Sequence, residues 1–131
     1  MKIENKAKRS LGQNFLIDKN IINKIIKIGN IDNSKSIMEI GSGYGNLTEA
    51  IIGKNPKNIV AIEKDKKLYF FLKKKFSNDN KFDNIEYLID ETQEIAKKYG
   101  AVCTPDFFGY NKNLELQYRG RMRELKNLKP I

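Results

Sequence analysis

The run Glu39-Ile40-Gly41-Ser42-Gly43-Tyr44-Gly45 carries the sharpest chemical signal in the chain. Glycine lets a backbone turn tightly and approach a ligand with no Cβ in the way. A helix behind such a loop points free N–H groups and a partial positive charge at it. A dinucleotide site wants G-x-G-x-x-G. Here the third glycine comes one residue early and Asn46 stands in its place. Glu39 precedes the first glycine by two residues, where a phosphate loop has no need of a carboxylate. A cationic, phosphate-free ligand does need one. S-adenosylmethionine, with its sulfonium and amino group, is such a ligand.

Two further acids fit the same edge. Glu63 follows Gly41 by 22 residues and ends an apolar run. In doubly wound folds a carboxylate there accepts both ribose hydroxyls, a contact that needs two oxygens. Asp90 ends the next apolar run, where it can accept from an adenine amino group. Each acid also has a plainer reading. Glu63 can pair with Lys64 or Lys66, and Asp90 can cap a helix starting at Glu91.

These residues need elements to hold them. Ser36–Ile40, Asn58–Ile62 and Ile85–Ile89 are short apolar runs that suit buried strands. Between them lie helical patterns. Asn46 or Gly45 opens one that ends near Gly53. Asp65 opens another through Phe76, with Leu68, Phe71, Leu72 and Phe76 inward and its lysines on a solvated outer face. An earlier helix starts at Asp18 and runs to about Ile28, with Ile21, Ile22, Ile25, Ile26 and Ile28 on one stripe, and stops at Gly29-Asn30. Strand–helix alternation predicts an α/β fold with a parallel sheet and right-handed crossovers. All three acids then fall on one rim.

Composition narrows the function. The chain has 131 residues, enough for one domain, and 40% of them are apolar. Its formal net charge is +9, so an anionic partner fits. It has no histidine and a single cysteine, Cys103. That excludes Ser-His-Asp catalysis, histidine-ligated zinc, an internal disulfide and a Cys-x-x-Cys pair. No apolar run approaches membrane-helix length, and the first residues lack a signal-peptide stretch. A soluble, cytoplasmic protein with no metal and no membrane partner is expected.

Lys8-Arg9-Ser10-Leu11-Gly12-Gln13-Asn14-Phe15-Leu16-Ile17-Asp18, with Glu39 to Gly45 and Ala61-Ile62-Glu63-Lys64-Asp65, resembles the ribosomal RNA small-subunit adenine N6-dimethyltransferases. The resemblance covers about residues 6–90. It implies a Rossmann-like methyltransferase fold that uses S-adenosylmethionine on adjacent adenines of small-subunit rRNA. It implies that Asn14 and Leu16 touch the cofactor, with Gln13 at the same site. It places Gly41 along the methionine part, within the loop that Glu39, Gly43 and Gly45 complete. Glu63 would bind the ribose and Asp90 the adenine. Lys6, Lys8 and Arg9 would approach RNA phosphates, which adds affinity without sequence choice.

The family also carries an Asn-Leu-Pro-Tyr type motif that holds the target amine and stacks on the flipped base. The prolines here are Pro56, Pro105 and Pro130, and none sits in that motif. Weak or absent catalysis is therefore expected.

Tyr87 to Ala96, Tyr99 to Phe108 and Leu114 to Arg121 resemble the C-terminal part of thioredoxin-like peroxiredoxin relatives. The residues themselves predict a short helix over Glu91–Tyr99, a turn at Asn111–Asn113 and an alternating exposed strand over Leu114–Arg119, so the tail ends in a hairpin; the likeness adds a cis bond at Thr104-Pro105. Cys103 reads as a small apolar residue rather than a nucleophile. The organisation expected is a basic arm over 1–10, a partial cofactor-binding domain over 11–90 and a thioredoxin-like fragment over 91–131. A chimera is one reading; a redox or interaction module and a nonfunctional fusion product are the others.

Overall fold

The computed structural model describes residues 15–77, 83–101 and 106–121. Helix α1 spans Lys19–Gly29. Asp18 opens it, its carboxylate accepting from the amides of Asn20 at 2.8 Å and Ile21 at 3.3 Å. Asn30 ends it in the left-handed conformation, and its N–H donates to the Lys27 carbonyl. Ile22 and Ile26 are buried as the stripe predicts. Ile28 is not on that stripe but 77% exposed. Six residues beyond Ile22, it has turned roughly 240° around the helix.

Strands β1 (Ser36–Ile40), β2 (Asn58–Glu63) and β3 (Ile85–Ile89) form a parallel sheet in that order. Helices α2 (Asn46–Ile52) and α3 (Lys66–Ser77) are the crossovers. Register sets Ile37 beside Ile59 and Ile59 beside Ile85. These three face the helices. There Ile22, Ile26, Ile51, Ile52, Ile59, Leu72 and Phe76 make one apolar core.

The tail folds differently from its expected boundaries. Helix α4 is only Glu94–Lys98, not Glu91–Tyr99. Gln93 takes a left-handed φ of 57°, and the Asp90 carboxylate claims the first α4 amides, so helix starts only after that turn. Strands β4 (Asp106–Tyr110) and β5 (Leu116–Arg121) pair antiparallel as a separate two-stranded sheet. The hairpin forms, but its second strand starts at Leu116 rather than Leu114. Asn111 is the cause. Its side-chain oxygen accepts from the amides of Asn113 and Glu115, its carbonyl accepts from Leu114, and Leu114 is left at φ 62°.

Gly45 joins the loop to α2, and two constraints meet there. Its φ is +78°, which L side chains resist. A Cβ would also lie 2.7 Å from Leu72 and 2.8 Å from Phe76, both in the core. Overpacking of this kind costs about 1–3 kcal/mol, and left-handed strain adds about 1 kcal/mol. Gly45→Ala should therefore destabilise the fold by about 2–4 kcal/mol. Chemical denaturation against the parent chain would measure it, and a loss under about 0.5 kcal/mol would refute the packing account.

Candidate functional site

The C-terminal edge of the sheet is built around the glycine loop. Gly41, Gly43 and Gly45 have φ of 82°, 56° and 78°. Such a path is open to glycine at little cost. The Gly41 N–H donates to the Ile62 carbonyl at 2.8 Å, which hangs the loop on β2. The Gly43 N–H donates to Glu63 Oε2 at 2.8 Å. Glu63 Oε1 accepts from the amides of Lys64 at 2.8 Å and Asp65 at 2.9 Å. One buried carboxylate thus joins the loop, the end of β2 and the entry to α3. Its partners are backbone amides, not the Lys64 or Lys66 ammonium. Lys66 pairs instead with Glu91 at 2.7 Å, and the Lys64 ammonium donates to Gln93 at 3.0 Å.

Glu39 lies beneath the loop, level with Ala61 on β2. Thr48 of α2 donates its hydroxyl to Glu39 Oε2 at 2.5 Å. Burial pushes the Glu39 carboxyl up to about 7. The Thr48 and Ser42 hydroxyls pull it down, and the Glu63 charge adds a smaller upward push. The buried Ser42 Oγ has no hydrogen-bond partner among the described residues. A buried acid held near neutrality, beside a hydroxyl with no partner, is a setting that a cationic ligand would relieve.

Asp90 follows β3, and its N–H extends the ladder to the Glu63 carbonyl at 3.0 Å. Its carboxylate turns to α4. Oδ1 accepts from the Glu94 amide at 2.8 Å, and Oδ2 from Ile95 at 3.1 Å and Ala96 at 3.2 Å. The helix-capping reading of Asp90 therefore describes its present partners, displaced from the expected start at Glu91. A carboxylate has about four acceptor positions, so one is left over for a ligand.

The N-terminal segment reaches this loop. The Phe15 ring packs against Tyr44, centroids 4.6 Å apart and planes tilted by 56°, and sits 3.2 Å from where a Gly43 Cβ would stand. Asn46 Nδ2 donates to the Leu16 carbonyl at 2.9 Å. The Leu16 side chain packs against the apolar core. Leu16 thus anchors the segment that carries the expected cofactor contacts. Gly45 turns its open side to Leu72 and Phe76 rather than to the rim. Gln13, Asn14, Lys6, Lys8, Arg9, Cys103 and Thr104-Pro105 lie outside the described residues.

Sequence reasoning missed Phe15, Thr48 and the role of Asn46. In the sequence Asn46 stands out as a helix opener and as the wrong residue for a dinucleotide loop. That departure was the available signal, since an amide at a helix start can hold a neighbouring strand of backbone.

The family model for ribosomal RNA adenine dimethylases matches residues 4–91. The chain belongs to the ribosomal RNA adenine dimethylase family. The match takes in β1, β2, β3 and all three acids, and it stops where α4 and the hairpin follow. The chain is 49% identical over 83 residues to the ribosomal RNA small subunit methyltransferase A of Pelagibacter ubique. That alignment covers 63% of this chain and 31% of the relative. Among solved structures, the chain resembles a dimethyladenosine transferase from Plasmodium falciparum. The TM-score is 0.54 at 28% identity, over 59% of this chain and 27% of that one. It also resembles the 23S rRNA methyltransferase ErmE, with TM-score 0.52 at 28% identity, over 60% of this chain and 31% of that one. The chain spans about a third of the length of the curated relatives it matches. Its α/β core, residues 36–90, is that of a Rossmann-like methyltransferase. Among the described residues, no helix is long and apolar enough to cross a membrane.

The raised Glu39 acidity constant makes a signed prediction. Folded Glu39 titrates near 7, against 4.5 for an exposed glutamate. Between these values the folded chain holds a proton that the unfolded chain releases. Stability from this group is full below about pH 4.5 and is lost as pH rises through 7, by about 3 kcal/mol. Glu39→Gln removes this titration, so its stability should fall less between pH 5 and pH 8 than the parent's. Urea unfolding at a series of pH values would read the difference. Parallel profiles for the two proteins would refute it.

Proposed function

We propose that this chain forms the cofactor-binding part of an S-adenosylmethionine-dependent rRNA adenine-N6 methyltransferase. The observation that carries this reading is the Gly43–Glu63 bond. It sets a glycine loop, a two-oxygen carboxylate and the buried Glu39 side by side at the ends of adjacent strands. Bound S-adenosylmethionine supplies a methyl group activated on sulfur. The protein's part is to bind and orient it.

In this reading Glu63 accepts the ribose hydroxyls. Its three backbone bonds leave one acceptor position, on Oε2, so taking the second hydroxyl displaces a backbone amide. Gly41 runs along the methionine part, within the loop that Gly43 completes. Asp90 offers its last acceptor position to the adenine amino group. Glu39 places negative charge beneath the cationic portion, and Gly45 shapes the loop through its packing. Gln13, Asn14 and Leu16 close the site from the N-terminal segment. Lys6, Lys8 and Arg9 meet phosphates of small-subunit rRNA. The setting is the cytoplasm, where ribosomal RNA is modified.

Catalytic power is weak or absent in this chain as given. No Asn-Leu-Pro-Tyr type run follows β3 within residues 91–131. Methyl transfer to an amine rests on positioning and desolvation. Without that motif the amine has no assigned holder.

The organisation follows the same lines: an arm over 1–10, the cofactor domain over 11–90 and a thioredoxin-like fragment over 91–131, joined as a chimera. Two observations support this division. The family match ends at residue 91, and among the described residues β4 and β5 pair only with each other. A redox role for the fragment would rest on Cys103 alone. Thiol-dependent peroxide consumption should be absent from the purified chain. Turnover abolished by Cys103→Ser would overturn that expectation and revive the redox reading.

Calorimetric titration with S-adenosylmethionine tests the main proposal. Saturable binding is expected, and no heat at millimolar cofactor would reject it. Glu63→Ala should weaken binding by about 1–3 kcal/mol. Glu63→Gln, which keeps one acceptor oxygen, should fall between, with melting curves confirming that both variants fold. A cation arriving near Glu39 lowers its affinity for protons. Binding should therefore release protons near pH 7 and tighten from pH 6 to pH 8. Titration in buffers of different ionisation enthalpy would count those protons.

A further inference from the structure

The outer face of α3 is more than a row of solvated lysines. Phe70 is 63% exposed there. Residues three and four positions away are its neighbours on a helix surface. All four are lysines: Lys66, Lys67, Lys73 and Lys74, each exposed. Tyr69 stands edge-on to the Phe70 ring, centroids 5.2 Å apart, and the Lys73 ammonium lies 5.8 Å from the Tyr69 ring centre. Lys66 is engaged by Glu91. Lys67, Lys73 and Lys74 form no ion pair among the described residues.

A lone exposed phenyl needs no explanation. A phenyl ringed by ammonium groups is different, because it combines a flat apolar face with charges set around it. The complementary ligand is planar and apolar at its centre and anionic at its margins. An unstacked nucleobase between its phosphates has that form. Base–aromatic stacking tolerates any sequence, and the lysines follow the backbone. A membrane surface would answer the charge but gain little from one ring.

We propose that the α3 face centred on Phe70 is a docking platform for single-stranded RNA, one base stacked on Phe70 and phosphates held by Lys67, Lys73 and Lys74. The choice of RNA among polyanions rests on the methyltransferase reading; the platform itself does not use the cofactor site. Glu63 and Asp65 stand just before the first turn of α3, so RNA on this face runs toward the cofactor rim.

The test is fluorescence anisotropy of the full chain with a labelled mixed-sequence 12-nucleotide RNA, across 50–200 mM salt. Phe70→Ala should weaken binding about 5- to 100-fold with an unchanged salt slope, and Phe70→Trp should restore it. Replacing Lys67, Lys73 and Lys74 together by Gln should lower the salt slope by about 2. The same RNA in duplex form should not distinguish Phe70→Ala from the parent. Variants that bind single strands like the parent overturn the proposal. So does Phe70-dependent capture by phosphatidylserine vesicles without RNA binding. Cofactor titration of Phe70→Ala separates the two readings. Unchanged cofactor binding with weakened RNA binding supports the platform. RNA results as expected, with no cofactor heat in any variant, would leave the platform standing and remove only the methyltransferase assignment.

Discussion

One carboxylate holds the candidate site together. The glycine loop follows a left-handed path that would wander if nothing tied it. Glu63 ties it by accepting the Gly43 N–H from one side and the Lys64 and Asp65 amides from the other. Hydrogen bonds to a charged acceptor are roughly twice as strong as neutral ones. Three of them also offset the cost of burying the charge. The same two oxygens tie the loop to the end of β2 and to the entry of α3, so a change at Glu63 loosens all three.

Glu39 shows the opposing tendency. It is buried as deeply as Glu63, yet one short bond from Thr48 is its main support. Desolvation prevails and the proton is retained toward neutrality. A core built for stability alone would place an apolar residue there. Adjacent carboxylates thus sit in different surroundings, with three backbone amides on Glu63 and a single hydroxyl bond on Glu39.

The strands were legible because apolar runs bounded by glycine and polar residues leave little choice. β1 and β3 fall on their expected boundaries, and β2 extends by one residue to Glu63. The glycine loop was legible because its spacing and its acid make sense together. Partners supplied by remote backbone were not legible. That Asp90 turns to α4 depends on where the chain goes after β3. That Gly45 faces Leu72 and Phe76 depends on how α3 lies against the loop. Leu114 looked like a strand residue because the alternation is real; the Asn111 turn overrode it with local bonds. Phe70 was not legible because the helical period of Leu68, Leu72 and Phe76 marks only the inward face of α3.

The sheet itself carries one more constraint. Its strands are apolar on both faces, as parallel strands covered from both sides are. Helices α1, α2 and α3 cover the face of Ile37, Ile59 and Ile85. On the other face Ile62 is buried, but Met38 is 44% exposed and Ile40, Val60 and Leu88 are half-buried. The strand pattern is thus that of a two-sided layer, while the described helices make one side. The rim where the acids gather needs only the covered side, because the loop, Thr48, Phe15 and α3 all approach from there. The glycine loop and the three acids are thus assembled on a sheet whose second covering layer has no counterpart among the described residues.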